Sequence, residues 1–275
     1  MSAAVSVALR FFEAIEQQDA NALALVHEDI EVHDFDLPDA GVYHGHEGMV
    51  KWLTDWDAPW EEWSGDIHDL LDLGDQVVSL NHLQARTATG LTVDREDSQL
   101  CTVRDGKVAK LEYFGDAETA LERCHDPRRG GERKQVHDKI RTLYAAAVRE
   151  DFEAAVALLH PDYEFQPEAG AVMGAAYRGH EGARRYFQEA FEAWEILRFD
   201  IERLVDAGER VAALFEMHNR GRGSGVELTG RWAEVWETDG TDLVASRFFQ
   251  SHDEALDAVG LRNGVQYPSA PSTSD

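Results

Sequence analysis

Acidic side chains are the residues of this sequence best able to do chemistry. Each half of the chain holds two carboxylates at the same spacing: Asp34 precedes Glu61, and Glu168 precedes Glu195, by 27 residues in both cases. Two carboxylates that meet in one pocket can divide acid–base catalysis, because one donates a proton while the other accepts one. A carboxylate desolvated in an apolar pocket also has a raised pKa, which suits proton abstraction. These acids are therefore the first candidates for a catalytic role.

Other kinds of reactive site find less support. The segment His44-Gly45-His46-Glu47 contains residue types of a zinc site, but the second half has Arg178 in place of His44. The segment also opens a predicted helix, where Gly and Glu have local roles at the N-terminus. The sequence contains no phosphate-binding loop, nucleophile elbow or Cys–His arrangement. We therefore expect neither a metal ion nor a cofactor.

The chain repeats itself once. The motif Tyr-x-Gly-His-Glu-Gly at 43–48 recurs at 177–182, and the same shift of 134 residues carries Trp60-Glu61 onto Trp194-Glu195. This period is too long for a solenoid repeat, so it indicates two tandem copies of one domain. We predict domains at 1–124 and 136–262. An exposed linker rich in Pro, Gly and charge at 125–135 would join them, and a disordered tail would follow at 263–275.

The predicted elements follow the same order in both copies. Apolar residues at helical spacing predict a first amphipathic helix through Val5–Ile15 and again through Ile140–Ala147. A shorter helix follows, and the Tyr-x-Gly motif opens a third helix with Trp-Glu near its end. Asp-x-Gly turns then precede alternating runs typical of strands, at 77–86 and 211–220. Three helices followed by antiparallel strands predict an α+β fold.

The charge of the chain excludes several partners. The 26 Lys+Arg and 53 Asp+Glu residues give a formal net charge of −27. Nucleic acids and anionic membranes both require a basic surface, which this composition does not supply. The two cysteines without CxxC spacing fit a reducing compartment, and neither a signal peptide nor a membrane span is recognisable. We therefore expect a cytoplasmic protein that binds neither nucleic acid nor membrane.

The order of motifs and elements resembles the SnoaL-like polyketide cyclase branch of the nuclear transport factor 2-like superfamily. The resemblance covers residues 3–122 and 136–261, and it rests on the Tyr-x-Gly-x-Glu-Gly turn, the Asp-x-Gly-Asp turn and a final strand that leads into a short helix. It implies two tandem cone-shaped domains, each with three N-terminal helices packed on a curved, mostly antiparallel sheet. An apolar pocket is expected between helices and sheet. This fold hosts isomerases, cyclases, epoxide hydrolases and non-enzymatic binding proteins, so it leaves the function open.

Relatives of this kind place their catalytic acids differently. In ketosteroid isomerase-like members the general base lies on the strand after the second helix, which corresponds to Asp34 here. Phe11 and Gln99 stand near the positions of that enzyme's oxyanion-hole tyrosine and protonated aspartate. The resemblance thus makes Asp34 a candidate base and Gln99 a candidate substrate-binding residue.

Two epoxide-opening relatives suggest further acids. Limonene epoxide hydrolase-like members have a final-strand acid followed by Tyr-Phe, which matches Glu112. Their Arg-x-Asp is missing where Asn81 stands, and Arg95-Glu96-Asp97 has that spacing on a later strand. Polyether epoxide hydrolase/cyclases have two such domains, each with a pair of acids about 27 residues apart, as in the two pairs above.

The two pockets are predicted to differ. In the second copy the strand acid has moved by one position, to Glu168, and Glu234 and Arg247 on the last two strands would face the pocket. The remaining predicted substrate-binding residues are aromatic, and they are Tyr43, Trp60, Tyr177 and Trp194.

We therefore expect a cofactor-independent acid–base enzyme of the isomerase, cyclase or epoxide hydrolase type that acts on a small apolar metabolite. The alternative is a non-catalytic small-molecule-binding or assembly module. The twin domains would form an internal pseudo-dimer within a monomer, or the chain would form a homodimer.

Overall fold

The computed structural model describes residues 3–16, 20–36, 41–166 and 177–261. The predicted disordered tail at 263–275 and the candidate acid Glu168 lie outside these ranges. No helix in the described ranges has the length and apolarity needed to cross a bilayer.

The first half has helices at its start, in its middle and at its end, around six strands. Its elements are α1 Ala3–Glu16, a 3₁₀ helix Ala20–Leu25, β1 Val26–Asp34, β2 Val42–His44, α2 Gly45–Asp57, β3 Trp60–Asp72, β4 Gln76–Thr87, β5 Thr92–Arg104, β6 Lys107–Phe114 and α3 Ala117–Arg123.

The second half repeats this order. Its elements are α4 Pro127–Val148, α5 Phe152–Val156, β7 Leu159–Gln166, β8 Tyr177–Arg178, α6 Gly179–Ala193, β9 Trp194–Asp206, β10 Arg210–Gly221, β11 Glu227–Asp239, β12 Asp242–Phe249 and α7 His252–Ala258. The strands β3, β4, β5 and β6 have the same lengths as β9, β10, β11 and β12 respectively, so equivalent residues can be counted from their first positions.

All described strands join in one sheet of mixed direction. Its order is β2-β1-β6-β5-β4-β3-β9-β10-β11-β12-β7-β8, so the two halves meet at β3 and β9. These two strands pair in parallel over Asp69–Leu70 and Leu204–Val205 only. Within each half the pairing is antiparallel except for β1 with β6 and β12 with β7. The architecture is the α+β tandem arrangement that the repeat predicts.

The strands β3 and β9 begin where the sequence predicted the end of a helix. Helix α2 ends at Asp57 and α6 at Ala193, so Trp60-Glu61 and Trp194-Glu195 start strands instead of closing helices. Trp194 already has extended backbone angles, φ −111° and ψ 140°. The prediction was wrong because pairing with β4 and β10 supplies the backbone hydrogen bonds of these residues.

The predicted linker is also helical from Pro127 onwards. The Asp126 side chain accepts a hydrogen bond from Arg129 N at 3.1 Å, and Pro127 occupies the first turn, where its missing N–H costs nothing. Further along the helix, the Arg133 side chain is buried against Asp206. This cap and this ion pair stabilise the helix although it contains Gly130-Gly131. Residues 125–129 are exposed, as expected of a connector, but the segment is helical and buries Gly130 and Arg133.

A buried ion cluster lies where the two halves meet. His137 of α4 is fully buried, with Nε2 2.9 Å from Asp206 Oδ1 and Nδ1 3.3 Å from Asp69 Oδ1. Arg133 also binds Asp206, and Arg141 Nη2 lies 2.7 Å from Asp69 Oδ1. Since Asp69 lies on β3 and Asp206 on β9, helix α4 ties the two halves together by charge as well as by packing.

Candidate active site

Strand register places four polar side chains on one wall of the first half. Asn81 of β4 pairs with Asp97 of β5, and Gln99 of β5 pairs with Tyr113 of β6. Because alternate residues of a strand share a face, Asp97 and Gln99 point to the same side of the sheet. All four line a single cavity.

Asp97 is the acid at the centre of this wall. Its side chain is 3% exposed, Oδ1 accepts from Asn81 Nδ2 at 3.0 Å, and Oδ2 accepts from the Tyr113 hydroxyl. Burial raises the pKa of Asp97 above its usual value, although the hydrogen bonds from Tyr113 and Asn81 act in the opposite direction. Burial and the adjacent Asp97 charge also raise the pKa of the Tyr113 hydroxyl. A desolvated carboxyl group that accepts hydrogen bonds from two neighbouring side chains is suited to proton transfer.

The cavity in front of Asp97 has the size and lining of a ligand site. Its volume is about 570 Å³, within the range of about 300–1,000 Å³ typical of small-molecule pockets. Most of the lining is apolar or aromatic, from α1, the 3₁₀ helix, α2 and strands β3 to β6. Asn81 Oδ1 is buried without a hydrogen-bond partner in the described part of the chain. An unsatisfied acceptor in the wall of an apolar cavity suggests a ligand that donates a hydrogen bond there.

The predicted base Asp34 lies behind this cavity instead of in its lining. It is 5% exposed, its Oδ2 accepts from Trp52 Nε1 at 2.7 Å, and its Oδ1 accepts from Asp36 N at 2.9 Å. Trp52 itself lines the cavity. Asp34 therefore orients an aromatic wall residue.

The predicted ligand residues Tyr43 and Tyr177 hold helices in place. The Tyr43 hydroxyl donates to Asp55 at 3.1 Å, and the Tyr177 hydroxyl donates to Glu189 at 2.7 Å. The glycines of the motif allow the helix to approach the tyrosine closely. A Cβ on Gly48 would lie 3.0 Å from the carbonyl carbon of Tyr43, and a Cβ on Gly182 would lie 2.9 Å from that of Tyr177. The repeated motif thus docks α2 and α6 onto the sheet.

The acids Glu61 and Glu195 are exposed partners of arginine. Glu61 Oε2 lies 2.9 Å from Arg86 Nη1, and Glu195 Oε1 lies 2.6 Å from Arg220 Nη2. Neither acid lines a described cavity. The repeated spacing of these acids reflects equivalent ion pairs at the ends of β3 and β9. The predicted pairs of catalytic acids are not brought together here, since Asp34 and Glu61 lie apart from the cavity and Glu168 is not described.

The tryptophans that precede these acids are half-buried. Trp60 contacts the ring of Trp56 at 6.3 Å between centroids, and its Nε1 is buried without a partner among the described residues. Trp194 lies beside the β10–β11 hairpin, where its carbonyl oxygen accepts from Arg222 Nη2 at 3.0 Å. Neither of them lines a described cavity, in contrast to the predicted role in binding substrate.

Glu112 and Arg247 occupy the opposite face of the sheet. Glu112 is buried against Lys110 at 3.0 Å and Arg123 at 3.4 Å, beside α3. Arg247, the sixth residue of β12 as Glu112 is of β6, lies over the ring of Phe249. Strand alternation explains the correction, because Tyr113 and Phe248 take the inward positions next to them.

The equivalent cavity of the second half is almost filled. Its volume is about 40 Å³, against about 570 Å³ in the first half, and it holds a few water molecules at most. Aromatic rings stand at the positions equivalent to the polar or small residues of the first wall: Gly65 becomes Phe199, Asn81 becomes Phe215, Asp97 becomes Trp232 and Tyr113 becomes Phe248. These rings contact one another at 5.4 to 5.8 Å between centroids.

Glu234 is the acid that remains in this second interior. It takes the position equivalent to Gln99, accepts from the Tyr144 hydroxyl at 2.5 Å and binds the Ser246 hydroxyl. Burial raises the pKa of Glu234 to about 7, against the effect of those two hydrogen bonds. Glu234 faces inward as predicted, but almost no space for a ligand adjoins it.

Asn81, Asp97 and Tyr113 were not among the predicted site residues. The available signal was the alternation of β5, in which Asp97 shares a face with Gln99. The spacing of Arg95 and Asp97 pointed to the same strand, but the Arg95 guanidinium is bound by Asp36 and reaches only the Tyr113 hydroxyl of the wall. Within the described ranges, no group of three or more His, Cys, Asp or Glu side chains is arranged to hold a metal ion.

Comparison with known proteins identifies the domain. Residues 8–111 and 140–246 each match the SnoaL-like domain family. No curated protein matches the chain.

Each of three similar solved structures covers less than half of this chain. A nuclear transport factor 2-like protein from Burkholderia thailandensis is 28% identical, covers 42% of this chain and 88% of its own, and has a TM-score of 0.38. A second such protein, from Burkholderia pseudomallei, is 19% identical over 46% of this chain and 98% of its own, with a TM-score of 0.40. A SnoaL-like polyketide cyclase from Mesorhizobium loti is 24% identical. It covers 39% of this chain and 95% of its own, with a TM-score of 0.35.

Proposed function

Because the chain belongs to the SnoaL-like domain family and carries its domain twice, we propose that the first half is a cofactor-independent acid–base enzyme of the isomerase or cyclase type. Its substrate is a small, largely apolar metabolite. The observation that supports this proposal is the buried Asp97 carboxyl, held by Tyr113 and Asn81 in the wall of an apolar cavity of about 570 Å³.

Asp97 is the general base and acid in this proposal. It removes a proton from a carbon next to a carbonyl group and returns it elsewhere on the same molecule, so no co-reactant is needed. Gln99, two residues along the same face, donates a hydrogen bond to the carbonyl oxygen as negative charge develops there. The aromatic lining excludes water, which strengthens both interactions.

Two observations favour proton transfer over epoxide hydrolysis of the acid–Arg–acid kind. Arg95 has the right spacing from Asp97, but its guanidinium is bound to Asp36. The final-strand acid Glu112 lies on the other face of the sheet. Among the described residues, the strand wall of the cavity therefore holds one acid, Asp97, next to the Tyr113 phenol, while Asp57 lies on the helix side.

The second half is proposed to be a non-catalytic partner of the first. Its interior volume of about 40 Å³ leaves no room for a metabolite. It contributes α4, whose charged residues bind both halves, so the pair acts as an internal pseudo-dimer.

Exchange of the α-protons of β-tetralone for deuterium, followed by NMR, tests the proposal. This bicyclic ketone is a generic probe of proton abstraction next to a carbonyl group. Asp97→Asn is expected to lower the protein-catalysed exchange by about 100-fold or more, the usual contribution of a general base. The matched control is Glu96→Gln, because Glu96 lies on the outer face and binds His68 and His82. Full exchange by Asp97→Asn would refute the assignment.

A further inference from the structure

The mouth of the first cavity is built from tryptophan rings and one carboxylate. Trp56 and Trp63 are half-buried, with ring centroids 4.8 Å apart and planes at 86°, so that they form two perpendicular walls. The exposed Asp57 accepts from Trp63 Nε1 at 2.7 Å, which fixes the carboxylate beside the rings. All three residues line the cavity.

These residues have no counterparts in the filled half. Counted from the start of α2 and α6, Trp56 is replaced by Ala190 and Asp57 by Phe191, and counted along β3 and β9, Trp63 is replaced by Leu197. The aromatic residues of the mouth are therefore found in the half with the open cavity, and the shared fold does not explain them. Core packing of this domain does not require it.

The charges on the cavity wall are all negative. Asp57 and Asp97 are the charged residues of the lining, and no Lys, Arg or His of the described chain contributes to it. The net charge of −27 adds a negative field around the molecule. A ligand with an anionic group would meet repulsion in the mouth, beside Asp57.

Resting on the proposed function, we infer that the substrate carries a positively charged amine, tertiary or quaternary, at the end that stays in the mouth. The cation lies against the faces of Trp56 and Trp63 beside the Asp57 carboxylate, and the apolar body fills the cone in front of Asp97. Cation–π attraction is strongest for tryptophan and increases when the cation is partly desolvated, as it is here. A carboxylate adjacent to the rings adds charge complementarity.

Binding of three molecules of similar shape and different charge tests this inference. Phenyltrimethylammonium, tert-butylbenzene and benzenesulfonate each carry a tetrahedral group on one phenyl ring, and the cavity tryptophans report their binding by fluorescence. The cation is expected to bind about 10-fold or more tightly than tert-butylbenzene, and the sulfonate is expected not to bind. Equal or tighter binding of tert-butylbenzene, or any saturable binding of the sulfonate, would overturn the inference.

Substitution of Asp57 locates the cation. Asp57→Asn keeps an oxygen for Trp63 Nε1 and removes the charge, so it should weaken the cation about 3- to 10-fold and leave tert-butylbenzene unchanged. The control Asp94→Asn removes the same charge on the outer face, where Asp94 binds His82, and should alter neither affinity. An unchanged cation preference in Asp57→Asn would contradict the assignment. If the cation preference is absent while β-tetralone exchange still depends on Asp97, the inference fails and the proposed function stands.

Discussion

Replacement of His137 by glutamine would test how the two halves of the chain are held together. The imidazole lies between the carboxylates of Asp69 and Asp206, and Arg133 and Arg141 bind the same two acids from either side. Burial by itself lowers the pKa of His137, but the charges of Asp206 and Asp69 outweigh it and raise the pKa from 6.5 to about 9. His137 is therefore positively charged at neutral pH.

The magnitude follows from this difference in pKa. At 1.36 kcal/mol for each pH unit, a pKa of about 9 against 6.5 in the unfolded chain corresponds to about 3 kcal/mol of folding free energy. Glutamine retains a hydrogen-bond donor but carries no charge. We expect His137→Gln to lower the free energy of unfolding by about 3 kcal/mol near neutral pH, which is in the range for breaking a buried ion pair.

The pH dependence distinguishes a charge effect from a packing effect. A raised folded-state pKa gives stability that is fully present below about pH 6.5 and is lost as the pH rises through about 9. Urea unfolding followed by tryptophan fluorescence should therefore show the largest difference from the unaltered protein near pH 6 and a much smaller one near pH 10. His218→Gln is the control, because His218 also lies 3.3 Å from two acids but is only half-buried, on the outer face. It should change stability by no more than about 0.5 kcal/mol. A constant difference across this pH range would refute the reasoning.

Two further predictions concern glycines. Gly65→Phe is expected to place a ring at the position that Phe199 occupies in the second half. Binding of tert-butylbenzene should then be lost while the circular dichroism spectrum is retained. Retained binding would contradict the claim that a ring at this position fills the cavity. In thermal unfolding, Gly182→Ala is expected to destabilise by about 1–3 kcal/mol, since its Cβ would lie 2.9 Å from the Tyr177 carbonyl carbon. Gly131→Ala lies in helix α4, where an added Cβ meets nothing within 4 Å, and should stabilise the protein by about 0.5–1 kcal/mol. If both variants changed the free energy of unfolding in the same direction, the proposed contact at Gly182 would be contradicted.

The repeat, the α+β class and the strands after the Asp-x-Gly turns could be predicted because each leaves a local pattern. The first residues of strands β3 and β9 could not be predicted as strand. On the outer face these residues are charged, and on the inner face they are only half-buried. The start of β3, Trp60 to Ser64, therefore has no regular alternation of buried and exposed residues. The helical conformation of the linker could not be predicted for a related reason. The partner that buries Arg133 is Asp206, which lies 73 residues away in sequence.

The candidate site was harder to predict because it depends on register. Asn81, Asp97 and Tyr113 come from three strands, and only their pairing shows that they share one wall. Likewise Asp34 and Glu61 were predicted to share a pocket, but one holds the Trp52 indole and the other an exposed arginine. A shift of one residue moves a side chain to the opposite face, as Glu112 illustrates beside Tyr113.

The central claim is that the first half holds a ligand beside Asp97 while the second half is filled. Crystals soaked with iodobenzene would test it directly, because the anomalous signal of iodine marks each occupied cavity. We expect one iodine position per chain, within the cavity lined by Phe11, Trp52 and Tyr113. An iodine position between Tyr144 and Phe199 in the second half, or an empty first cavity, would contradict the account.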